Sequence, residues 1–409
     1  MTRACLAFLI PLFAAEHLRA QQPLTHAETQ AAAEVSGMLT EGILRCKPWI
    51  TLIDHETLAV GWLSATQALG YVEWKQEGMT WQRADMIEDG LKGSLSTTHG
   101  VRLKPCDLSR PLTFRVVTQV ITRFQPYKVT FGEPHRSSDY VISPVCTNGS
   151  TSFMVFNDIH NRTQFYPLLY RALIEPNPVQ FVVLNGDVLQ DPQTESDIEK
   201  NLLAPMAWLT AQGIPSYFLR GNHETRGAAA RQLKAYLQRP ENCFYGALNC
   251  GPAAILFLDS GEDKPDDSAE YSGLVDFDAY MKAQRAWCER TLFSPSFTQS
   301  RWRIVIMHIP PDWTRKGDDL RWGMKRLCDD FIPLFTRYRV TAVISGHMHA
   351  PQVIDPPEQS ANAITWPIII GGAHPFPRAT GIRVEANQQH LRITLHASNG
   401  STICERIFH

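Results

Sequence analysis

The chain shows short apolar runs with alternating polar positions once it passes residue 48. These runs recur about every ten residues and are separated by turn-forming residues, a spacing typical of a small all-β sandwich. The predicted strands cover residues 49–53, 58–62, 70–74, 94–98, 101–103, 112–118 and 127–131.

Beyond residue 150 the pattern changes, because strand-like apolar runs now alternate with segments of helical period. This alternation predicts a layered α/β domain whose function lies at the carboxyl ends of its strands. Four final runs, at 367–371, 381–384, 391–396 and 402–407, predict antiparallel strands that close the domain. The earlier predicted strands are 152–156, 181–184, 217–219, 253–258, 302–307 and 340–344, and the predicted helices are 164–174, 197–210, 226–237 and 278–292.

These patterns divide the chain into five parts, and 409 residues exceed the usual size of one hydrophobic core. The segment 136–150 is polar and interrupted by Pro, Gly and Ser, which predicts a linker. The predicted parts are a signal peptide (1–20), a helical or loose lead-in (21–42), an all-β domain (43–135), the linker (136–150) and an α/β domain (151–409).

The amino terminus predicts export. Arg3 precedes an apolar stretch from Ala4 to Ala15 that is too short to span a bilayer comfortably, and cleavage is expected after Ala20. An uncleaved anchor or a misassigned start is the alternative. We expect a secreted or periplasmic protein without stable membrane insertion.

The net charge is -2 and the sequence has no cluster of basic residues, so nucleic-acid binding is not expected.

Removal of the signal peptide would leave eight cysteines, an even number that permits disulfides in an exported protein. Cys243 and Cys250 are the best candidates, because they bracket a short loop; two ordinary buried thiols are the alternative. The lack of any C-x-x-C pair argues against a zinc ribbon.

Five short polar segments each follow an apolar, strand-like run. Separate strands would therefore deliver oxygen and nitrogen ligands to one edge of a sheet. Asp and His are ligands for first-row divalent ions, and Asn can add a neutral amide oxygen. The segments hold Asp158 with His160, Asp187, Asn222 with His223, His308, and His347 with His349. This layout predicts a two-metal site, in which two divalent ions can hold a phosphoryl group and activate water.

The succession of segments resembles the hallmark of the calcineurin-like metallophosphoesterase superfamily, over roughly residues 151–384. The resemblance implies an α/β fold with a layered β-sandwich flanked by helices. It also implies a first ion bound by Asp158, His160, Asp187 and His349, with Asp187 bridging to a second. Asn222, His308 and His347 would bind the second ion, and His223 would sit beside the scissile phosphate.

The preceding all-β region is loosely similar to the fibronectin-like amino-terminal domain of purple acid phosphatases. Two departures separate the chain from the purple enzymes. Their first motif is D-x-G, whereas this chain has Asp158-Ile-His160, and their metal-binding Tyr three residues after the bridging Asp is Gln190 here. A ferric tyrosinate is therefore not expected.

The resemblance implies hydrolysis of phosphomonoesters by attack of a metal-bridging hydroxide, with His223 protonating the leaving alkoxide or stabilising its charge. The expected partner is a small phosphoester, and the expected cofactors are two divalent ions, manganese, iron or zinc. Arg162 could contact the substrate phosphate and His374 could line the pocket, although an Arg that opens a helix is commonly solvated and a loop His commonly has no role.

Two alternatives remain open at this point. The same metal core serves phosphodiesterases and nucleotide or sugar pyrophosphatases, and the loops that distinguish them, 259–280 and 310–327, give no interpretable pattern. The chain could also be a catalytically silent binding protein, against which the intact ligand set and His223 argue. The sequence does not specify an oligomeric state.

Overall fold

The computed structural model describes residues 23–147, 149–239, 243–357, 364–372 and 374–409. The predicted signal peptide lies outside these residues. Within them, the fold is mixed α/β and is built around two large β-sheets. None of the described helices combines the length and apolar character needed to cross a membrane.

The strands are β1 (Leu44–Asp54), β2 (Thr57–Gln76), β3 (Gln82–Asp85), β4 (Ile87–Glu88), β5 (Leu91–Lys92), β6 (Ser96–Leu103), β7 (Leu112–Gln125), β8 (Lys128–Phe131), β9 (His135–Arg136), β10 (Tyr140–Ile142), β11 (Ser150–Phe156), β12 (Phe181–Asn185), β13 (Ser216–Leu219), β14 (Gly246–Cys250), β15 (Ala253–Leu258), β16 (Trp302–Met307), β17 (Ala342–Ser345), β18 (Gln352–Ile354), β19 (Ile368–Ile370), β20 (Thr380–Asn387), β21 (Leu391–Ala397) and β22 (Thr402–Phe408).

The helices are α1 (His26–Ser36), α2 (Phe165–Leu169), α3 (Glu195–Ile198), α4 (Ala204–Ala211), α5 (His223–Arg226), α6 (Leu233–Leu237), α7 (Phe277–Phe293), α8 (Pro295–Thr298) and α9 (Trp322–Arg337). Wider π-type turns at Tyr170–Ile174 and Glu199–Leu203 continue α2 and α3, and single 3₁₀ turns lie at Ala230–Gln232, Ala269–Tyr271, Gly317–Asp319 and Phe376–Arg378.

Two sheets stack face to face, and the first of them extends from the all-β region into the α/β region. The first has the order β10-β7-β2-β1-β13-β12-β11-β20-β21-β22, and the second has the order β14-β15-β16-β17-β19-β18. Their facing side chains form one core, in which the rings of Tyr217 and Phe257 stack with centroids 3.6 Å apart. Helices α2 and α4 pack on the outer face of the first sheet, and α7 and α9 pack on the outer face of the second.

Strand β15 shows why the sequence folds this way. All six of its residues, Ala253 to Leu258, are buried, because one face meets the first sheet and the other meets helices. A continuous apolar run is what a strand covered on both faces requires. The prediction for this strand matches the structure residue for residue, as does the prediction for β16.

The all-β region and the α/β region share a sheet. Strand β1 pairs antiparallel with β2 and parallel with β13, with Thr51 opposite Ser216. The predicted linker is also structured, since β10 pairs with β7. The predicted lead-in contains α1, which begins with a capping box formed by Thr25 and Glu28.

The structure corrects two expectations drawn from local pattern. Cys250 forms a disulfide with Cys146 of the predicted linker, not with Cys243, whose Sγ lies 3.3 Å from the carbonyl oxygen of Tyr245. Strand β19 was expected to be antiparallel, but it runs parallel to β17 within the second sheet. It is antiparallel only to β18, whereas β20, β21 and β22 form the expected antiparallel group.

Candidate metal centre

The five predicted ligand segments lie at the carboxyl ends of five strands. Strands β11, β12 and β13 are parallel neighbours in the first sheet, and β16 and β17 are parallel neighbours in the second. The segments that follow them therefore meet at one edge of the stacked sheets. Asp158 with His160, Asp187, Asn222 with His223, His308, and His347 with His349 follow β11, β12, β13, β16 and β17, in that order.

Most of these segments turn sharply as they leave their strands. Five residues of the site adopt a left-handed backbone conformation that is uncommon for residues other than Gly. Such conformations cost energy and concentrate at functional sites, where the surrounding structure holds them in place. Their φ values are 53° at Asp158, 47° at His160, 50° at Asp187, 69° at His347 and 52° at His349.

The turns bring the ligand atoms into two groups that have Asp187 in common. The first consists of Asp158, His160, Asp187 and His349, and the second of Asp187, His308 and His347. Within each group the candidate ligand atoms lie within 4.8 Å of one another. Asn222 joins the second group, because its Oδ1 lies 3.0 Å from Nδ1 of His347.

The two carboxylates of the site need a compensating positive charge. Asp158 is 0% exposed and Asp187 is 1% exposed. Within 4 Å, the described side chains that can offset this negative charge are histidines, with no Lys or Arg. A buried carboxylate is costly unless it is paired or coordinates a metal, so this arrangement fits bound cations.

The ring nitrogens point to the same conclusion. Nδ1 of His160 lies 2.7 Å from the Gln190 Oε1 acceptor, so it carries the proton, which leaves Nε2 as a bare lone pair when the ring is neutral. That Nε2 faces Nε2 of His349 at 3.1 Å. The lone pair of His160 Nε2 is therefore free to bind a cation, because the second hydrogen bond of a ligating His fixes which nitrogen binds the metal.

His308 is oriented in a similar way. Its Nδ1 donates to the carbonyl oxygen of Asn185 at 2.9 Å, which directs Nε2 into the site. This Nε2 is buried and makes no directed hydrogen bond, although Oδ2 of Asp187 is 3.0 Å away. Burial lowers the pKa of His308, but the charge of Asp187 outweighs it and raises the pKa to about 10. The carboxylate therefore attracts positive charge to this position.

His223 lies outside both ligand groups. Its Nδ1 is 3.0 Å from Oδ1 of Asp191, and its Nε2 is 3.9 Å from Oδ2 of Asp187, so Nε2 faces the site. Burial opposes protonation, but the hydrogen bond to Asp191 and the charges of Asp187 and Asp191 raise the pKa of His223. Sequence reasoning missed Asp191. Its position in the loop after Asp187, as an additional carboxylate, was the available signal.

Two further residues hold the loops in place. Glu224 is fully buried and accepts backbone hydrogen bonds from Asp187, Leu189 and Gly221 at 2.9, 2.7 and 2.7 Å, so it ties two ligand loops together. Gly221 itself cannot carry a side chain without moving Asp187, because a Cβ there would collide with Oδ1 of that carboxylate.

Five of the ligands line a cleft of about 1280 Å³, whose walls also include Arg162 and His374. They are His160, Asp187, Asn222, His347 and His349. Arg162 donates from Nη1 to the carbonyl oxygen of His160 at 3.1 Å. The His374 ring lies 5.6 Å from that of His160 and 5.2 Å from that of His349, centroid to centroid. Both residues predicted to contact substrate therefore lie beside the first ligand group.

Comparison with known proteins agrees with this geometry. A family model described as calcineurin-like phosphoesterase matches residues 151–351. No curated protein sequence matches the chain.

Among solved structures, purple acid phosphatase PPD1 from yellow lupin (Lupinus luteus) seeds is similar, with a TM-score of 0.66 at 13% identity over 88% of this chain and 73% of that one. PhoD is similar with a TM-score of 0.56 at 11% identity over 88% of each chain. At such identities the likeness is one of fold.

Proposed function

We propose that the chain is a binuclear metal-dependent phosphomonoesterase. Residues 151–351 belong to the calcineurin-like phosphoesterase family, and the chain is therefore a hydrolase of phosphoester bonds. The observation that carries the proposal is the pair of ligand groups that have the buried Asp187 in common. Asp158, His160, Asp187 and His349 would hold one ion. Asp187, Asn222, His308 and His347 would hold the other.

The mixed oxygen and imidazole ligands suit manganese, iron or zinc. When bound, two such ions neutralise phosphate oxygens and make water a better nucleophile near neutral pH. The residues of the chain then orient the substrate and move protons. Arg162 and His374 are proposed to contact anionic oxygens of the substrate, since both line the cleft beside the first ligand group.

His223 is proposed as the general acid. Asp191 accepts a hydrogen bond from Nδ1, so the proton on Nε2 is the one directed into the cleft. Transfer of this proton to the leaving oxygen would produce a neutral alcohol. The raised pKa of His223 keeps a larger fraction of the ring protonated near neutral pH.

The alternative activity is hydrolysis of diesters or of nucleotide or sugar pyrophosphates. The observation in its favour is the volume of the cleft, about 1280 Å³, which exceeds what one phosphoryl group fills. The purified protein should be assayed with para-nitrophenyl phosphate and with bis-para-nitrophenyl phosphate in the presence of manganese. Faster hydrolysis of the monoester supports the proposal, and hydrolysis of the diester alone would replace it with the alternative.

Export is the remaining part of the proposal. Residues 1–20 have the composition of a signal peptide, and the Cys146–Cys250 disulfide fits an oxidising compartment. The all-β region is proposed to be a non-catalytic, fibronectin-like domain, because none of the ligand segments lies within it. Amino-terminal sequencing of the natively exported protein should give a start near Gln21, and an intact Met1 on membrane-retained protein would contradict export.

A further inference from the structure

The cationic side chains of the cleft differ in how they are neutralised. Three of them, Arg226, Lys264 and Arg321, form what we call the paired end of the cleft. Arg162 and Arg378, together with His374, form what we call the open end. The two ends lie beside different ligand groups, since His374 contacts His160 and His349, whereas the charge of Asp263 acts on His347.

At the paired end, the protein supplies its own counter-charges. Nη2 of Arg226 is 2.9 Å from Oε2 of Glu262 and 2.8 Å from Oδ1 of Asp263. Nζ of Lys264 is 3.3 Å from Oδ1 of Asp263, and Nη1 of Arg321 is 3.9 Å from Oδ2 of the same residue. These cations are therefore engaged before any substrate arrives.

At the open end, such counter-charges are absent from the described part of the chain. Arg162 is half-buried and donates to the carbonyl oxygen of His160, but no described carboxylate lies within 4.0 Å of its guanidinium. Arg378 is exposed to the cleft and likewise has no ion pair with a described residue.

Packing holds Arg162 and Arg378 on the same side of the cleft. The ring of Phe376, in the turn that ends at Arg378, lies 5.2 Å from the ring of Phe165 at the start of α2. Arg162 lies three residues before Phe165. The turn that carries Arg378 is therefore fixed beside the segment that carries Arg162.

An uncompensated, half-buried guanidinium beside a site for two cations is unfavourable unless an anion joins it. A guanidinium has five N–H donors, and the carbonyl of His160 uses one donor of Arg162, so others can bind phosphate or carboxylate oxygens in a forked geometry. One phosphoryl group held at the ligand groups does not require two arginines, one of them at the exposed rim.

We propose that the open end binds a second anionic group of the substrate, so that the preferred substrates are phosphoesters whose leaving group itself carries a phosphate or a carboxylate. This inference rests on the proposed phosphatase function. It adds a requirement that a simple aryl phosphate does not meet.

The test measures binding of three non-hydrolysable phosphonates to the manganese-loaded full-length protein by titration calorimetry. Propylphosphonate has no second anion, 3-phosphonopropionate adds a carboxylate, and propane-1,3-diphosphonate adds a second phosphonate. Charge-assisted hydrogen bonds should make one or both of the latter bind roughly 10-fold to 100-fold more tightly than propylphosphonate. The ligand that gains more affinity shows whether the open end prefers a carboxylate or a phosphate.

Variants then locate the effect. The affinity ratio is the affinity for a ligand with a second anion divided by the affinity for propylphosphonate. Arg378→Ala and Arg162→Gln should reduce this ratio towards one, and Arg378→Glu should reverse it. Lys264→Ala, a cation of the paired end, should keep the wild-type ratio. Equal affinity for the three ligands in the wild type, or an unchanged ratio in both Arg378 variants, would overturn the proposal.

The outcomes also separate this proposal from the phosphatase function. Hydrolysis of para-nitrophenyl phosphate combined with a ratio of one would overturn only the second-anion site. Failure of any phosphonate to bind, together with no hydrolysis, would overturn both.

Discussion

Two buried histidines in different regions of the molecule show what makes a site. His99 in the all-β region stacks on Trp62 with centroids 5.0 Å apart, and its Nε2 lies 2.9 Å from Oγ of Ser64. Burial lowers its pKa to about 4. His308 is also buried, yet Asp187 raises its pKa to about 10. Burial alone yields a neutral structural histidine, whereas burial beside a carboxylate yields a position that attracts a cation.

The same contrast holds for charges in the two regions. In the all-β region, Glu73 is neutralised by Arg115 at 2.6 Å and Arg136 at 3.4 Å. At the strand edge of the α/β region, Asp158 and Asp187 face ring nitrogens and no described Lys or Arg. A carboxylate that is paired with arginines has its charge neutralised within the protein. Carboxylates without such partners form a candidate site for cations.

The largest expected effect is that of Asp187→Asn, because a ligand common to both groups needs the charge and both oxygens of a carboxylate. We expect activity near background and the loss of at least one metal equivalent. Turnover and metal content by mass spectrometry test this together. The matched control is Glu73→Gln, which removes a part-buried carboxylate of the all-β region and should leave both values unchanged. Two retained metals with full turnover in Asp187→Asn would contradict the bridging role.

The second prediction concerns His223, which lies outside the ligand groups. His223→Ala should keep both metals and lose about 10²-fold to 10⁴-fold in turnover, the usual contribution of a general acid. Asp191→Asn should lose less and shift the limb of the pH–rate profile that reports the acid to lower pH, because the hydrogen bond and charge that raise the pKa of His223 are weakened. An unshifted profile would show that Asp191 does not act through His223.

The sequence predicted which ligand residues meet at the strand edge better than it predicted what surrounds them. Each ligand follows a buried strand, so its position depends on local pattern and on the rule that parallel strands end at one edge. The contacts of Asp191 and Gln190 depend on the left-handed turn around Asp187, which residue type alone does not specify. The pairing of β1 with β13 and the Cys146–Cys250 disulfide are long-range contacts, which local periodicity does not encode.

Gln190 connects the two functions proposed for this edge, metal binding and proton transfer. Its Oε1 accepts from Nδ1 of His160 at 2.7 Å, and its Nε2 lies 3.0 Å from both Asp191 Oδ2 and His223 Nδ1. The His223 nitrogen can donate to Asp191, so we take the bond from Gln190 to Asp191 as the one that holds the amide. Gln190→Ala should weaken binding of the first metal equivalent about 10-fold to 100-fold, since His160 loses the partner that fixes its ligand nitrogen.

Titration calorimetry of the metal-free protein with manganese measures this, and Gln190→Glu, which keeps the acceptor, should restore most of the affinity. Unchanged affinity in Gln190→Ala would show that the orientation of His160 does not depend on this amide.

The iron-loaded wild type should lack a strong visible absorption band, because Gln190 replaces the tyrosine of the purple enzymes.

The smallest effect should come from His99, and it concerns stability rather than activity. The pKa of His99 is about 4 in the folded protein and about 6.5 in the unfolded chain. Between these values the unfolded chain binds a proton that the folded protein does not, so the free energy of unfolding falls as the pH decreases from 6.5 towards 4. Above pH 6.5 neither state is protonated, and this contribution is constant.

His99→Gln keeps a polar partner for Ser64 but cannot titrate. Although it loses the stacking on Trp62 at every pH, it should lose about 1–2 kcal/mol less stability than the wild type between pH 7 and pH 5. Urea denaturation at both pH values, at one fixed manganese concentration, measures the difference. Turnover at pH 7 should be unchanged. Identical pH dependence in the two proteins would mean that His99 becomes protonated without cost, and the contrast with His308 would then rest on geometry alone.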